Sequence, residues 1–178
     1  MARRETVARR YADAAFEIGR DAGTLETWER DLATLRAALG DPELRRLVEH
    51  PAVPFTEKEK VLRRVARGVA AEPLSLALLM IRRGRPGAID AMVDRFAELV
   101  RRERGISLAE VRTALPLDDE QRTAIAERLR TLTGDRIEIK EVVDDALIGG
   151  ISVRIGDRLY DASVRSRLER LRARLTAV

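Results

Sequence analysis

The chain holds very few side chains that could build a catalytic or metal-binding site. Cysteine is absent and His50 is the only histidine, so thiolate nucleophiles and thiolate-ligated metals are excluded. A zinc site usually needs three or four ligands at characteristic spacing, and a lone histidine before Pro51 does not supply them. We therefore place His50 at a helix end or on the surface, and we predict no catalytic residues, no metal and no cofactor.

The remaining candidates for acid–base or nucleophilic chemistry are two carboxylate pairs and one serine. Asp118-Asp119 and Asp144-Asp145 could act as acid and base if burial separated their pKa values. Both pairs lie at the ends of predicted elements, where turn and cap roles account for them. Ser163 follows Asp161 by two residues and lacks a nucleophile-elbow context, so it is a predicted helix cap. These patterns do not favour an enzyme.

Gly149 and Gly150 invite comparison with the glycine-rich loops that bind phosphate groups. The chain has no GxxxxGK[ST] motif, and a predicted strand rather than a helix follows the two glycines. The pair is therefore predicted to permit a bulge or a close backbone approach instead of nucleotide binding.

The positive charge of the chain is distributed among almost as many acidic groups. Thirty-four Lys and Arg residues stand against 30 Asp and Glu residues, which gives a net charge of +4. The last predicted helix holds a local basic run but lacks the aromatic residues that stack on nucleic-acid bases. We therefore interpret this run as a helix face that is solvated or meets an acidic partner. The alternative is that the chain is an Arg-rich nucleic-acid-binding helical protein. The residues of this run are Arg165, Arg167, Arg170, Arg172 and Arg174.

Neither an export signal nor a membrane span is predicted. The basic N-terminal residues are not followed by an apolar run of signal-peptide length. The most apolar stretch, residues 74–81, is far shorter than the roughly 20 residues that cross a bilayer. The protein is expected to be soluble or peripheral.

Up to about residue 104, apolar residues recur at helical spacing, which predicts a compact antiparallel bundle of six helices with short linkers. The fifth, SLALLMIRR, is apolar nearly all the way round, so it is predicted to be the central buried helix. The helices are predicted from Glu5 to Asp21, from Leu25 to Gly40 with Thr24 as cap, after Asp41-Pro42, from Thr56 as cap to near Arg67, from Glu72-Pro73, and over residues 89–100.

After Gly105 the pattern changes to strand, helix, three strands and a final helix. The fold class is thus mainly α with a smaller α+β part, a helical bundle over residues 1–104 and a mixed-sheet domain over residues 105–178. The first elements are a strand ended by Pro116, a helix from Asp118-Asp119 to Gly134 and a strand over residues 137–142. Two further strands, from Leu147 to Ile155 and from Arg158 to Tyr160, flank the predicted hairpin turn Gly156-Asp157. The last helix begins near Ser163 and has one apolar seam formed by Val164, Leu168, Leu171 and Leu175.

The segment from Val143 to Leu171 combines a double glycine, a two-residue turn and a charged helix. This order resembles the pattern DPSLIGG, a strand ending in GD, then DGS and a basic helix, that closes the delta subunits of F-type ATP synthases. The same family is called the oligomycin-sensitivity-conferring protein in mitochondria. Asp145 replaces the usual proline and Ala162 the usual glycine, whereas the matching residues include Leu147, Ile148, Gly149, Gly150, Gly156, Asp161 and Ser163.

Two shorter patches are similar to the same family and occur in the same order. The N-terminal YADAAF, Tyr11 to Phe16, is similar to YAxALF, and the patch from Ser75 to Arg85 is similar to a family segment that closes on GR. Together the three patches extend the resemblance over essentially the whole chain.

The resemblance implies a non-catalytic stator subunit whose six-helix bundle binds the N-terminal peptides of the alpha subunits at the crown of the catalytic head. The implied groove lies between the first and fifth helices. Apolar residues at helical spacing are also typical of a core, and the sequence alone leaves both roles open for each position. The implied lining residues are Tyr11, Ala14, Ala15, Ile18, Leu76, Leu79 and Met80.

For the C-terminal domain, the resemblance implies contact with the C-terminal end of the b subunits of the peripheral stalk. Such a link holds the head still while the central stalk rotates, and the family also takes part in coupling proton flow to ATP synthesis. The implied location is the cytoplasmic face of the cell membrane, reached indirectly through the complex, with no nucleic-acid partner.

Overall fold

The computed structural model describes the backbone of residues 2–176 and the side chains of residues 5–170 and 172. The chain divides into two compact units, Met1–Val100 and Arg101–Val178, against a predicted boundary after residue 104. The structure is mostly helical, with a small mixed sheet of four strands in the second unit. The predicted seam residues Leu171 and Leu175 lie outside the described side chains.

The helices described in the first unit are joined by short turns. A 3-10 turn at Pro86–Ala88 occupies the predicted GRPG connection and leads into the last of these helices, which extends three residues beyond the unit boundary. The helices are α1 (Ala2–Asp21), α2 (Leu25–Gly40), α3 (Pro42–Glu49), α4 (Phe55–Val65), α5 (Ala71–Arg82) and α6 (Ile89–Glu103).

Aromatic contacts join α1, α2 and α6 at the centre of this unit. The ring of Phe96 stacks on Trp28 with a centroid distance of 6.0 Å and meets Phe16 edge-on at 6.4 Å. A β-carbon on Gly19 would lie 3.0 Å from Trp28 Cδ1, so glycine allows α1 to approach the indole closely. Such ring pairs add stability beyond the area they bury.

A buried carboxylate on α2 fixes the start of α5. The Asp31 side chain is only 3% exposed, and its Oδ2 accepts a hydrogen bond of 2.7 Å from the backbone N–H of Ala70. Its Oδ1 accepts a bond of 3.0 Å from Arg30 Nε. Ala70 precedes the first residue of α5, so Asp31 satisfies one of the N–H groups that a helix start leaves without an intrahelical partner.

Two predicted caps are wrong, whereas the one predicted at Asp118 is confirmed. Thr24 makes no capping hydrogen bond because its backbone, at φ −113° and ψ 20°, is not extended as a cap residue usually is. Thr56 lies inside α4, which begins at Phe55. Asp41 accepts from two backbone N–H groups of α3, and Asp118 forms a reciprocal capping box at the start of the next helix.

The predicted burial of α5 on all sides is also wrong. Ala77 and Met80 are fully buried, but Leu79 is 42% exposed. Apolar composition therefore overstated the burial of this helix, because one face of it borders an open groove instead of another helix.

The strands of the sheet in the second unit are β1 (Ile106–Thr113), β2 (Arg136–Val143), β3 (Ile151–Ile155) and β4 (Arg158–Asp161). Their order in the sheet is β2-β1-β3-β4, so β1 lies between β2 and β3. The pairing of β1 with β2 is parallel and requires a crossover, which α7 (Asp119–Thr133) provides. The pairings of β1 with β3 and of β3 with β4 are antiparallel. The final helix is α8 (Val164–Thr176).

Two predicted strand bounds in this unit are wrong. The strand predicted from Leu147 begins only at Ile151, because residues 147–148 follow a turn at 145–146 without strand pairing and residues 149–150 form a bend. The first strand ends at Thr113, and Leu115 beyond it is 76% exposed. The predicted Gly156-Asp157 turn is confirmed between β3 and β4, with φ of +56° at Gly156.

The connection between β1 and α7 is held by a carboxylate on β2. Glu141 accepts a bond of 2.7 Å from the backbone N–H of Leu117 and one of 2.8 Å from Arg122 Nη2. These two bonds, the backbone bond first, hold the pKa of Glu141 below its ordinary value. The small core beneath the sheet is formed by Ala109, Val111, Leu129 and Val153.

No helix within residues 2–176 is long and apolar enough to cross a membrane.

We expect Asp31→Ala to lower the free energy of unfolding of the first unit by about 1–3 kcal/mol, because the partly buried Ala70 N–H loses its acceptor. Asp31→Asn keeps an acceptor oxygen and should lose less. Urea unfolding followed by the fluorescence of Trp28 measures both. The control, Asp21→Ala, removes an exposed carboxylate paired with its neighbour Arg20 and should have little effect. Equal losses in the alanine variants at positions 31 and 21 would contradict the assignment.

Candidate functional site

An open groove between α1 and α5 in the first unit, which we call the α1–α5 groove, has a mainly apolar lining. Its volume is about 370 Å³. Glu72 and Ser75 are the polar residues of its lining, and the others are apolar. The lining residues are Ala14, Ala15, Ile18, Trp28, Ala71, Glu72, Ser75, Leu76 and Leu79.

The structure brings five of the seven groove residues implied by the sequence to this surface. They are Ala14, Ala15, Ile18, Leu76 and Leu79. The other two do not line the groove.

Tyr11 is partly buried against the core of the first unit, and Met80 is fully buried. Four lining residues were not implied by the sequence: Trp28, Ala71, Glu72 and Ser75. Trp28 belongs to the apolar stripe of α2, and the sequence has no signal that its ring reaches from the core to the groove floor.

The shape of the groove follows from the sizes of its residues. Ala14, Ala15 and Ser75 leave space between the two helices, whereas the larger Ile18 and Leu79 are 54% and 42% exposed. Contiguous apolar surface of this kind marks interaction sites more often than isolated apolar residues do. An apolar groove between two helices suits the apolar face of a third helix.

The double glycine of the second unit allows a close backbone approach, as predicted. Gly150 has φ of +80°, and a β-carbon there would lie 2.6 Å from the carbonyl oxygen of Ala162. The backbone N–H of Val164 donates to the carbonyl of Gly149 at 2.9 Å. The loop before β3 therefore lies directly against the start of α8.

Ser163 is a helix cap and Asp161 holds it in place. The Ser163 hydroxyl accepts from the backbone N–H of Ser166 at 3.2 Å, and the Ser163 N–H donates to Asp161 at 2.8 Å. The Ser166 hydroxyl donates to the other Asp161 oxygen at 2.6 Å. The Ser166 bond, followed by the Ser163 bonds, lowers the pKa of Asp161 from 3.8 to about 2. This stabilisation is present above about pH 4 and is lost as the pH falls through about 2.

A second apolar groove, which we call the α7–β4 groove, lies between α7 and the β3–β4 hairpin. Its volume is about 340 Å³. Leu132 on its rim is 62% exposed. Of the residues that carry the family motif, Asp161 lines this groove. Ile148 and Leu147 do not line it: Ile148 is exposed and Leu147 is partly buried. The lining residues are Ile125, Arg128, Leu129, Leu132, Ile151, Val153, Tyr160, Asp161 and Ala162.

His50, Asp118 and Asp144, three of the residues considered for catalysis, have structural partners. The Nδ1 atom of His50 accepts from the backbone N–H of Ala52 at 3.2 Å. Asp118 caps α7, and Asp144 accepts from the N–H of Ala146 at 3.0 Å within a turn. Among the residues that the structure describes, no group of three or more His, Asp or Glu side chains could hold a metal ion.

Comparisons with known proteins agree over nearly the whole chain. The family model described as ATP synthase delta (OSCP) subunit matches residues 7–175. A protein of Salinibacter ruber named ATP synthase subunit delta is 40% identical over 173 residues, which cover 96% of this chain and 90% of that protein. One of the same name from Anaeromyxobacter sp. (strain Fw109-5) is 34% identical, with coverages of 96% and 97%. A chain in the Toxoplasma gondii mitochondrial ATP synthase hexamer has a TM-score of 0.71 at 26% identity, with coverages of 96% and 98%.

We expect Gly150→Ala to lower the free energy of unfolding of the second unit by about 2–4 kcal/mol, because it combines a left-handed φ with a backbone clash. Gly134→Ala is the matched control, since Gly134 also has φ of +80° but nothing lies within 4 Å of its added β-carbon. It should cost about 1 kcal/mol. Urea unfolding followed by far-UV circular dichroism gives both values, and Trp28 fluorescence reports the first unit separately. Equal costs at the two positions would contradict the close approach.

Proposed function

Because the chain belongs to the ATP synthase delta (OSCP) subunit family, we propose that it joins the catalytic head of the enzyme to its peripheral stalk through two separate contacts. The protein is a non-catalytic stator subunit of ATP synthase. The observation that supports the first contact best is the exposed apolar lining of the α1–α5 groove. In this proposal the protein is peripheral and lies at the cytoplasmic face of the cell membrane through its partners.

The first contact is made by the α1–α5 groove with the N-terminal peptide of an alpha subunit. The α5 side of the lining extends over residues 71–79, about 12 Å of helix at 1.5 Å per residue. That length matches two turns of a bound amphipathic helix, whose apolar residues at positions i, i+3, i+4 and i+7 would face the groove. Ile18 and Leu79 would become buried on binding.

The second contact is made by the second unit with the C-terminal end of a b subunit. The α7–β4 groove and the exposed residues Val164 and Leu168 of α8 provide the apolar surface. Burying an apolar side chain contributes about 25 cal/mol per Å² removed from water. Leu132, on the rim of this groove, would gain the most from being covered.

A stator must resist rotation, so slow dissociation matters more than turnover. Most differences in affinity between related complexes arise in the dissociation rate. When one chain makes two contacts, each bound partner raises the effective concentration of the other site. A chain whose two units each carry an apolar groove can bind the catalytic head and the peripheral stalk at the same time, as a stator must.

The arginines of α8 support a nucleic-acid surface poorly. Arg165 is paired with Glu169 at 3.1 Å, and Arg170 donates to the carbonyl of Ser166 at 3.1 Å. These side chains are partly engaged within their own helix, and the α1–α5 and α7–β4 grooves are apolar. The nucleic-acid alternative is therefore disfavoured.

We expect the double substitution Ile18→Ser with Leu79→Ser to weaken binding of a synthetic alpha N-terminal peptide at least about tenfold, because two half-exposed apolar side chains lose their burial on binding. Isothermal titration calorimetry with the full-length protein measures the dissociation constant. Val65→Ser is the control, since Val65 is 50% exposed but outside the groove. An unchanged affinity in the double variant would exclude the groove as the binding site.

For the second contact, Leu132→Ser should weaken binding of a fragment from the C-terminal end of the b subunit about fivefold or more, because the rim of the α7–β4 groove loses its most exposed apolar side chain. Leu115→Ser provides the comparison, because Leu115 is also exposed but is absent from the groove lining. Surface plasmon resonance with immobilised fragment measures both. The second contact would have to be placed elsewhere if the variants at positions 132 and 115 bound equally well.

A further inference from the structure

A larger cleft, which we call the basic cleft, lies near the N-terminal end of α1 and the C-terminal end of α5. Its volume is about 700 Å³, and none of its lining residues lines the α1–α5 groove. Its walls bring together Lys58 of α4, Arg83 at the end of α5, and Arg85 of the following turn. Glu49 is the single acidic residue of the lining.

The three basic side chains of this cleft have no ion-pair or hydrogen-bond partner among the side chains that the structure describes. Elsewhere in the same unit, arginines form ion pairs between helices: Arg36 contacts Asp94 at 2.7 Å, and Arg45 contacts Asp90 at 2.8 Å. The negative end of the α5 dipole accounts for a cation at Arg83. It does not account for Lys58, which belongs to another helix.

The floor of the basic cleft is apolar, since Val7, Ile81 and Ala88 line it. A ligand that complements this surface carries carboxylates for the three cations and at least one apolar side chain for the floor. The lining contains no aromatic residue, whereas single-stranded nucleic acids are usually bound through aromatic stacking. The chemistry of the cleft therefore fits an acidic peptide segment with an apolar anchor.

We infer that the basic cleft binds an acidic segment of the catalytic head, separate from the peptide in the α1–α5 groove. The inference rests on the proposed function, because it assigns the acidic segment to the partner that the groove engages. On α1, Val7 of the cleft lies seven residues before Ala14 of the groove, about 10 Å along the helix. A single docked head can therefore fill both sites. The three cations would speed association and make it depend on salt.

The test uses a full-length double variant of the cleft, Arg83→Glu with Arg85→Glu, and a control that reverses two other exposed charges of the unit. The control is Arg64→Glu with Arg67→Glu, which lie outside the cleft lining. Binding to the isolated catalytic head is measured at about 50 mM and about 300 mM salt. The cleft variant should bind about tenfold or more weakly than wild type at low salt, with a shallower salt dependence, and the control should stay within about twofold. Unfolding followed by Trp28 fluorescence verifies that both variants are folded.

A second measurement separates this inference from the proposed function. The cleft variant should bind the synthetic alpha N-terminal peptide as wild type does. If wild type and the cleft variant bind the head equally at both salt concentrations, the inference is overturned while the proposed function stands.

Other outcomes would also overturn the inference. Loss of alpha-peptide binding in the cleft variant would make the cleft part of the groove site. Charge-dependent binding of phosphatidylglycerol vesicles or single-stranded DNA, in place of the head, would assign the cleft to another class of partner. If wild type does not bind the head at all, the proposed function fails together with the inference.

Discussion

The hydrogen bond from the Ala70 N–H to the buried Asp31 carboxylate fixes where α5 begins, and the α1–α5 groove depends on that position. Trp28, on the groove floor, precedes Asp31 by three residues on α2, and Ala71, at the groove edge, follows Ala70. A carboxylate with little exposure is costly unless it is hydrogen-bonded, so this site tolerates few alternatives. The hydrogen bond between Asp31 and the start of α5 therefore also fixes the position of Trp28, on the groove floor, relative to Ala71, at the groove edge.

The two units of the protein use different architectures to expose apolar surface on a rigid support. In the first, small residues on α1 and α5 open a groove above a packed aromatic cluster. In the second, the Gly149-Gly150 loop and the Asp161–Ser163 cap anchor the start of α8 beside the hairpin. Both supports are locked by hydrogen bonds or close packing, which limits the freedom lost when a partner binds. Rigid supports of this kind suit a stator protein that resists rotation instead of catalysing a reaction.

Sequence periodicity predicted the helices and strands because apolar spacing is a local signal with periods of 3.6 and 2 residues. The groove residues Ala14 and Ile18 could be proposed from a family resemblance, but spacing could not tell that Met80 faces the core while Leu79 faces the groove. The Asp31 contact was missed because it joins residues 39 positions apart. Thr24 and Thr56 show the opposite error, since residue type alone suggested caps that the backbone geometry does not form.

Photo-crosslinking from the groove in the assembled enzyme would test the central claim most directly. A photoreactive amino acid at Ser75, an exposed lining residue of the α1–α5 groove, should crosslink to the N-terminal residues of an alpha subunit, as identified by mass spectrometry. The same group at Val65, outside the groove, should not give this product. Crosslinks from position 75 only to other subunits, or equal alpha crosslinks from both positions, would contradict the assignment of the groove as the docking site for the catalytic head.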